Sequence, residues 1–403
     1  MTNKFPISLL AILVLIPITF SFKYGGGISF DRIGGFDNRL WIASLPISML
    51  FCLFASSKWA NQIIGKKIFL SFVTFLLSCV LIKTIFIGQI DYSIIKVSAG
   101  LLMFTVFLFS FEQYFKRNIE SSLDINTLEN RYVLFPLVIL VLIIIASWHY
   151  SSDVLGIRSF LDWRGIPMSK VPIFITPKLV IYDFEQYYAF VLGPMVACAT
   201  RLKWYQYIFV AIIALYCTKL SANSTAMIVL WSLILFHLLY SVFDKKSRNF
   251  IYKASFIGIV FAPILYVIFM YVFYENLGIT NSRLDARYSM ISSYINNLNW
   301  YQIIFPFLTE GRSIAVDMHN EFLEVYNAIS IFGVVFFYSI VLMPISKFLE
   351  IFRIQAIAIV LVIFIGGLTV ENLLHPYTSI VIAYLIAFYS VLSKNRIDNK
   401  TTQ

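Results

Sequence analysis

Charge is what this chain has least of: 13% of its 403 residues are Asp, Glu, Lys or Arg, about half the usage of soluble domains. That scarcity excludes a water-soluble enzyme and a disordered polyelectrolyte, neither of which keeps its surface in water without charge. Cysteine and histidine are sparse too, with four of each. Cys52, Cys79, Cys198 and Cys217 all fall inside apolar runs, which reads as buried thiols and excludes a disulfide scaffold. Also missing are an Asp-x-Asp pair for a metal-bound nucleotide sugar, a His-Glu-x-x-His helix and a phosphate-binding P-loop. The glycines at Gly25–Gly27 and Gly34-Gly35 do not follow a dinucleotide fingerprint and read as turns. No metal and no cofactor is expected, because the His and carboxylate residues outside the apolar runs lack ligand spacing.

What fills the chain instead is 60% hydrophobic and 17% aromatic residues, with a mean hydropathy of +0.82. A membrane-crossing helix needs roughly 20 apolar residues. Runs of that kind lie near 5–22, 40–57, 68–88, 94–114, 132–148, 185–200, 205–220, 224–243, 252–274, 329–346, 354–371 and 377–393. The first is followed by Lys23-Tyr24 and glycines rather than a small-residue cleavage site, so it reads as a span and not a leader. The expectation is an all-α polytopic membrane protein of about twelve transmembrane helices, a single integral membrane domain over 1–403. Two long connections remain, 149–184 and 275–328; their Trp, Tyr and Ile content argues for packed structure at the membrane surface.

The net charge of +10 divides along this layout. With the N-terminus inside, every inside connection is basic, and together with the termini they hold 18 of the 31 Lys and Arg residues. These include Lys116, Arg117, Arg131, Arg201, Lys203, Lys245, Lys246, Arg248, Lys347 and Arg353. Both termini therefore read as cytoplasmic. The other thirteen are unexplained by orientation; four lie in 149–184 and three in 275–328. Such clustering on the outside points to an anionic partner there and not to nucleic acid.

The most informative stretch runs from Glu310 through Arg312, Asp317, His319-Asn320-Glu321-Phe322-Leu323-Glu324 to Gly333. It reads as a polar loop, then an amphipathic helix leading into a span. A helix capped by Asp317 puts His319 in its first turn, where the helix dipole disfavours imidazolium and leaves the neutral base that proton abstraction needs. A histidine that caps a helix or bonds a neighbouring loop suits the same position. In Thr280-Asn281-Ser282-Arg283-Leu284-Asp285-Ala286-Arg287, Ser282 and Asp285 have capping-box spacing. Arg283 and Arg287 then share one face at the positive end of a helix, a place suited to a diphosphate or to ordinary salt bridges with Glu275 or Glu310.

Further cations fall in patterned places. Arg158, Arg164, Lys170 and Lys178 are interleaved with Trp163 and Tyr182, a mixture that fits a sugar-lipid headgroup or interfacial anchoring alike. Lys219 stands in the short outside turn Lys219-Leu-Ser221-Ala-Asn223-Ser224-Thr225. Glu371, in Glu371-Asn372-Leu-Leu-His375-Pro376, sets a carboxylate at the outer end of an apolar run, where it orients a base or pairs with an arginine.

The pattern His-Asn-x-Phe-Leu-Glu entering a glycine-containing span resembles the hallmark of the O-antigen ligase and Wzy-type O-antigen polymerase superfamily. The layout of about twelve spans and two basic periplasmic loops is similar as well, so the resemblance covers most of the chain and implies the GT-C-like fold of that family. Residues 280–288 resemble the family's Ser-Gly-Arg-x-x-x-Trp segment. The turn at Ser221 resembles its Ser-x-Ser-Arg turn, but the arginine is missing and Lys219 is the nearby cation. The paired-loop spacing of an arginine and a glycine eleven positions on, seen in some polymerases, is absent too.

The resemblance implies a metal-independent glycosyltransferase in the bacterial inner membrane, with its active site on the periplasmic face. Its donor and acceptor would be undecaprenyl-diphosphate-linked oligosaccharide units of O-antigen or capsule, with membrane lipid and a chain-length-regulating membrane protein as further partners. His319, aided by Glu321 or Glu371, would act on the acceptor hydroxyl. Arg283, Arg287, Arg312, Arg164, Arg158 and Lys219 would hold the diphosphate. Two alternatives stay open: an O-antigen ligase with lipid A-core as acceptor, and a lipid-linked oligosaccharide flippase, which would place its charges in a mid-membrane cavity.

Overall fold

The computed structural model describes residues 92–119, 124–136, 192–220, 224–274, 282–306, 320–368, 373–374 and 376–401, with isolated positions between them. Among these residues every regular element is helical and no strand occurs. The helices are α1 (Tyr92–Asn118), α2 (Ile125–Glu129), α3 (Trp204–Leu220), α4 (Ser224–Val242) and α5 (Lys245–Ile268). They continue with α6 (Ser282–Asn296), α7 (Trp300–Ile304), α8 (Glu321–Ser346), α9 (Arg353–Phe364) and α10 (Pro376–Thr401). A further helical segment covers 192–199, and a single tight turn, Gly366–Leu368, follows α9.

Four stretches are long and apolar enough to cross a membrane among the described residues: Thr225–Val242, Lys245–Phe273, Glu321–Ser346 and Thr378–Asn395. Trp204–Thr218 and Arg353–Leu368 are shorter apolar helices. This is the architecture of an α-helical membrane protein. The expected run at 94–114 falls within α1, and those at 205–220 and 224–243 coincide with α3 and α4 to within a residue. The run at 252–274 falls on α5, which begins earlier, and on the helical turn after it, and the run at 329–346 lies in α8, which includes the preceding amphipathic stretch. α9 covers only 354–364 of the run 354–371, α10 continues eight residues past the run 377–393, and of the run 185–200 the described helical part is 192–199. The runs at 5–22 and 40–57, and most of 68–88 and 132–148, lie outside the described residues, as does the connection 149–184.

α10 is the most enclosed of these helices and packs most extensively against α1, while α5 is mostly exposed at the edge. The α1–α10 seam is aromatic: Phe115 meets Tyr384 at 5.0 Å and Phe388 at 5.2 Å between ring centroids, both edge-on. Such pairs add to the packing that must hold helices together where lipid tails compete on equal terms. Gly100 permits the closest approach. A Cβ built there would lie 2.8 Å from Leu374 Cδ2 and 3.0 Å from its Cα. Cys198 and Cys217 are buried thiols, in keeping with their apolar settings.

One end of the bundle is basic. Glu112 reaches both Lys116 at 3.6 Å and Lys347 at 3.8 Å. Arg201 pairs with Glu129 at 3.3 Å and lies over the Phe352 ring, and Tyr252 donates to the Leu349 carbonyl at 2.9 Å. The connections bearing Lys116, Arg201, the start of α5 and Lys347–Arg353 therefore meet at one end. The opposite end gathers the start of α8, the Gly366–Leu368 turn and the entry to α10.

Candidate functional site

The start of α8 organises that opposite end. Asn320 is extended (φ −138°, ψ 103°), and its side chain accepts from the Leu323 N–H at 3.1 Å. The cap is therefore Asn320, three positions later than the Asp317 expected from sequence, because an Asn side chain satisfies an orphan N–H as well as an Asp does. Glu321 and Glu324 then occupy the first turn, where the helix dipole favours carboxylates.

Glu321 is 0% exposed. Its carboxylate accepts from the Leu373 N–H at 2.5 Å and from the Leu374 N–H at 3.4 Å. The Tyr338 hydroxyl lies beside the same carboxylate. A Cβ built on Gly367 would lie 3.6 Å from that of Glu321, so the turn after α9 packs directly on this side chain.

The proximity of Tyr338 and Glu321 also reports the shape of α8. Seventeen residues of straight helix would separate the two by about 25 Å, beyond the reach of both side chains. The helix instead turns sharply at Ser330, whose φ of 68° and ψ of 177° are non-helical. Its first arm carries Asn320, Glu321, Glu324, Asn327 and Ser330, all buried. The second arm is the apolar helix 331–346.

Arg287 approaches from another element. α6 lies against the end of α5 and the first arm of α8, through Met270, Tyr274, Ile291, Tyr294 and Leu323. Ser282 is the first helical residue of α6 and not its cap, and Asp285 accepts from the Tyr274 hydroxyl at 2.8 Å. Burial, together with the Asp285 carboxylate, pushes the Tyr274 hydroxyl up from its ordinary pKa. Tyr294 donates to Asn327 at 3.0 Å, and burial, with a contribution from Tyr326, raises its pKa in the same sense. Both phenols thus remain donors across the physiological range. They fix α6 so that Arg287 Nη1 donates to the Leu368 carbonyl at 3.3 Å.

Two of the expected site residues are brought together in this way. Arg287 holds the Gly366–Leu368 turn by a carbonyl, and Glu321 holds Leu373 and Leu374 by their amides. Arg283 stands one turn before Arg287 in the same helix, and Lys219 lies in the last turn of α3. His319, Glu371, Arg312, Arg158 and Arg164 lie outside the described residues. Sequence reading gave no role to Glu324, Asn327, Ser330, Tyr338 or Gly367. The signal was a polar residue at every third position from Glu321 to Ser330, a period that keeps polar groups facing the bundle interior.

Comparison of this chain with protein-family models, with curated proteins and with solved structures finds no match.

Proposed function

We propose that this protein is a membrane glycosyltransferase that joins lipid-diphosphate-linked oligosaccharide units, a polymerase of O-antigen or capsule type. In this reading the termini are cytoplasmic and the Glu321 end faces the periplasm of a bacterial inner membrane. The carrying observation is the attachment of two separate candidate segments, at Arg287 and Glu321, to the stretch that leads into α10. Chain connectivity adds that His319 stands two residues before Glu321, and Glu371 two residues before Leu373. The Glu321–Leu373 bond therefore ties the sequence carrying the candidate base to the sequence carrying a second carboxylate.

In the reaction, His319 takes the proton of the acceptor hydroxyl as its oxygen bonds to the anomeric carbon of the donor. The anomeric carbon–oxygen bond to the diphosphate breaks, and the electron pair leaves with the diphosphate. Arginines at the leaving group stabilise the developing charge. Arg287 is suited to this because a guanidinium has five N–H donors, and one bond to a neutral carbonyl leaves its charge and its other donors for an anion. Arg283, Arg312, Arg164, Arg158 and Lys219 complete the proposed cation set. Glu321 acts by position in this scheme, holding backbone.

The test is deletion of the gene in its native host, followed by gel analysis of lipopolysaccharide or capsule. Core glycolipid carrying a single repeat supports polymerase. Polymer accumulating on the lipid carrier supports ligase instead, and loss of all periplasmic units supports flippase. Complementation with His319→Ala at normal polymer length and yield would remove His319 from the base role.

A further inference from the structure

The stretch Trp300–Phe305 belongs to the long connection that sequence reading placed outside the membrane. Its surroundings argue otherwise. From Tyr288 to Thr309 the chain carries no charged residue. Within it, Trp300 is 78% exposed and Ile303 52%, with Ile304 and Phe305 exposed as well. The segment itself lies against the bundle wall: the Phe305 ring lies 6.3 Å from that of Phe332 on α8, and Tyr326 donates to the Ile303 carbonyl. Phe332, Ile331 and Val335 are themselves exposed on an apolar helix.

Depth follows from counting along that helix. Lys347, bridged to Glu112, marks the basic end. Phe332 stands fourteen residues before Ser346, about 21 Å up the axis at 1.5 Å per residue. A hydrocarbon layer is about 30 Å thick. Phe332 is therefore still inside that layer, and Phe305 beside it is inside too.

Non-spanning backbone is tolerated at such depth only if its polar groups are satisfied internally. Several of the polar groups of α7 are satisfied in this way. Asn299 and Gln302 close a reciprocal capping box, with Asn299 N–H donating to Gln302 at 2.8 Å. Phe305 N–H bonds the Tyr301 carbonyl at 2.9 Å, and the Ile303 carbonyl takes Tyr326.

We infer that Trp300–Phe305 is a re-entrant wedge whose exposed face lies against the acyl chains of the bilayer, continuous with the lipid-facing side of α8. The partner surface is lipid hydrocarbon. The inference concerns immersion and stands whether or not the reaction proposed above is correct.

The full chain, reconstituted in phosphatidylethanolamine–phosphatidylglycerol vesicles with brominated acyl chains, provides the test. The emission lost in Trp300→Phe isolates Trp300. That component is expected to be quenched by the brominated chains more than the average tryptophan of the protein; an unquenched, water-exposed component overturns the inference. Should Trp300→Phe fail to fold, labelling decides. Ile304→Cys, read above the wild-type cysteine background, is expected to react with a membrane-impermeant maleimide at least about ten-fold more slowly than Ser289→Cys on the exposed face of α6, because hydrocarbon excludes the aqueous reagent. Equal rates overturn it.

Discussion

Two buried glutamates at opposite ends of one bundle are treated differently. At the basic end, Glu129 meets the Arg201 guanidinium at 3.3 Å and accepts from Gln355 at 3.3 Å. At the other end, Glu321 accepts from two backbone amides, while Arg287 donates to a backbone carbonyl. Side chain on side chain neutralises charge, so the Glu129 contact uses up the cation it holds. Side chain on backbone fixes a segment and leaves the cation's charge intact. The first arrangement suits an anchor, the second the anion site of the proposed function.

The largest effect that distinguishes the ends is on stability. Glu129→Ala leaves the partly exposed Arg201 without its anion and the buried Gln355 without its acceptor, a loss of about 3 kcal/mol in total. Unfolding in detergent is expected at a clearly lower temperature, with unchanged activity per folded molecule. Wild-type stability for this variant would remove the anchor side of the comparison. Next comes Glu321→Ala, which strands two buried amides at about 2 kcal/mol in total. Hydrogen exchange is expected to rise in 366–376 and to stay unchanged in 345–356, with a fall of about ten-fold in polymer yield. Glu321→Gln is expected to recover part of both losses, because its carbonyl oxygen still accepts one amide. Exchange that does not rise in Glu321→Ala means that the carboxylate is not holding this segment.

Much of this contrast is invisible in one dimension. Apolar runs and their basic flanks were legible because hydropathy and charge bias are local properties, and α3, α4, α9 and α10 follow from them. The motif at His319–Glu324 was legible as a helix start, but not its cap, since Asp317 and Asn320 satisfy the same rule and only tertiary contacts choose between them. The Ser330 bend left no mark: Ser is an ordinary helix residue, and its φ of 68° is imposed by what the two arms of α8 pack against. Glu321 read as chemistry because a carboxylate near a candidate base does. Its attachment to Leu373 and Leu374, 52 and 53 residues away, is set by topology.

Gly100→Ala sharpens the comparison from a residue that carries no charge. The added Cβ meets the Leu374 backbone as well as its side chain, so relief requires the segment held by Glu321 to move. Overpacking of this size costs about 1 kcal/mol. Increased exchange at 373–376 with little change in melting temperature is the expected result; exchange unchanged from wild type would show that Leu374 yields by rotamer alone.

The smallest effect belongs to the basic end and is set by pH. Asp244 caps α5, accepting from Lys246 N–H at 3.1 Å. Its bond to the Ser247 side chain, and then the Lys246 amide, holds its carboxyl below the usual range. A depressed carboxylate contributes stability above its unfolded pKa of about 4 and loses it as pH falls through the folded value. The gap between wild type and Asp244→Ala in amide exchange at 245–249 is therefore expected to be constant between about pH 5 and pH 8 and to close in stronger acid. Asp244→Asn caps without titrating. Its protection at 245–249 is expected to show no such loss in acid, and a parallel loss in the Asn variant would trace the effect to other groups.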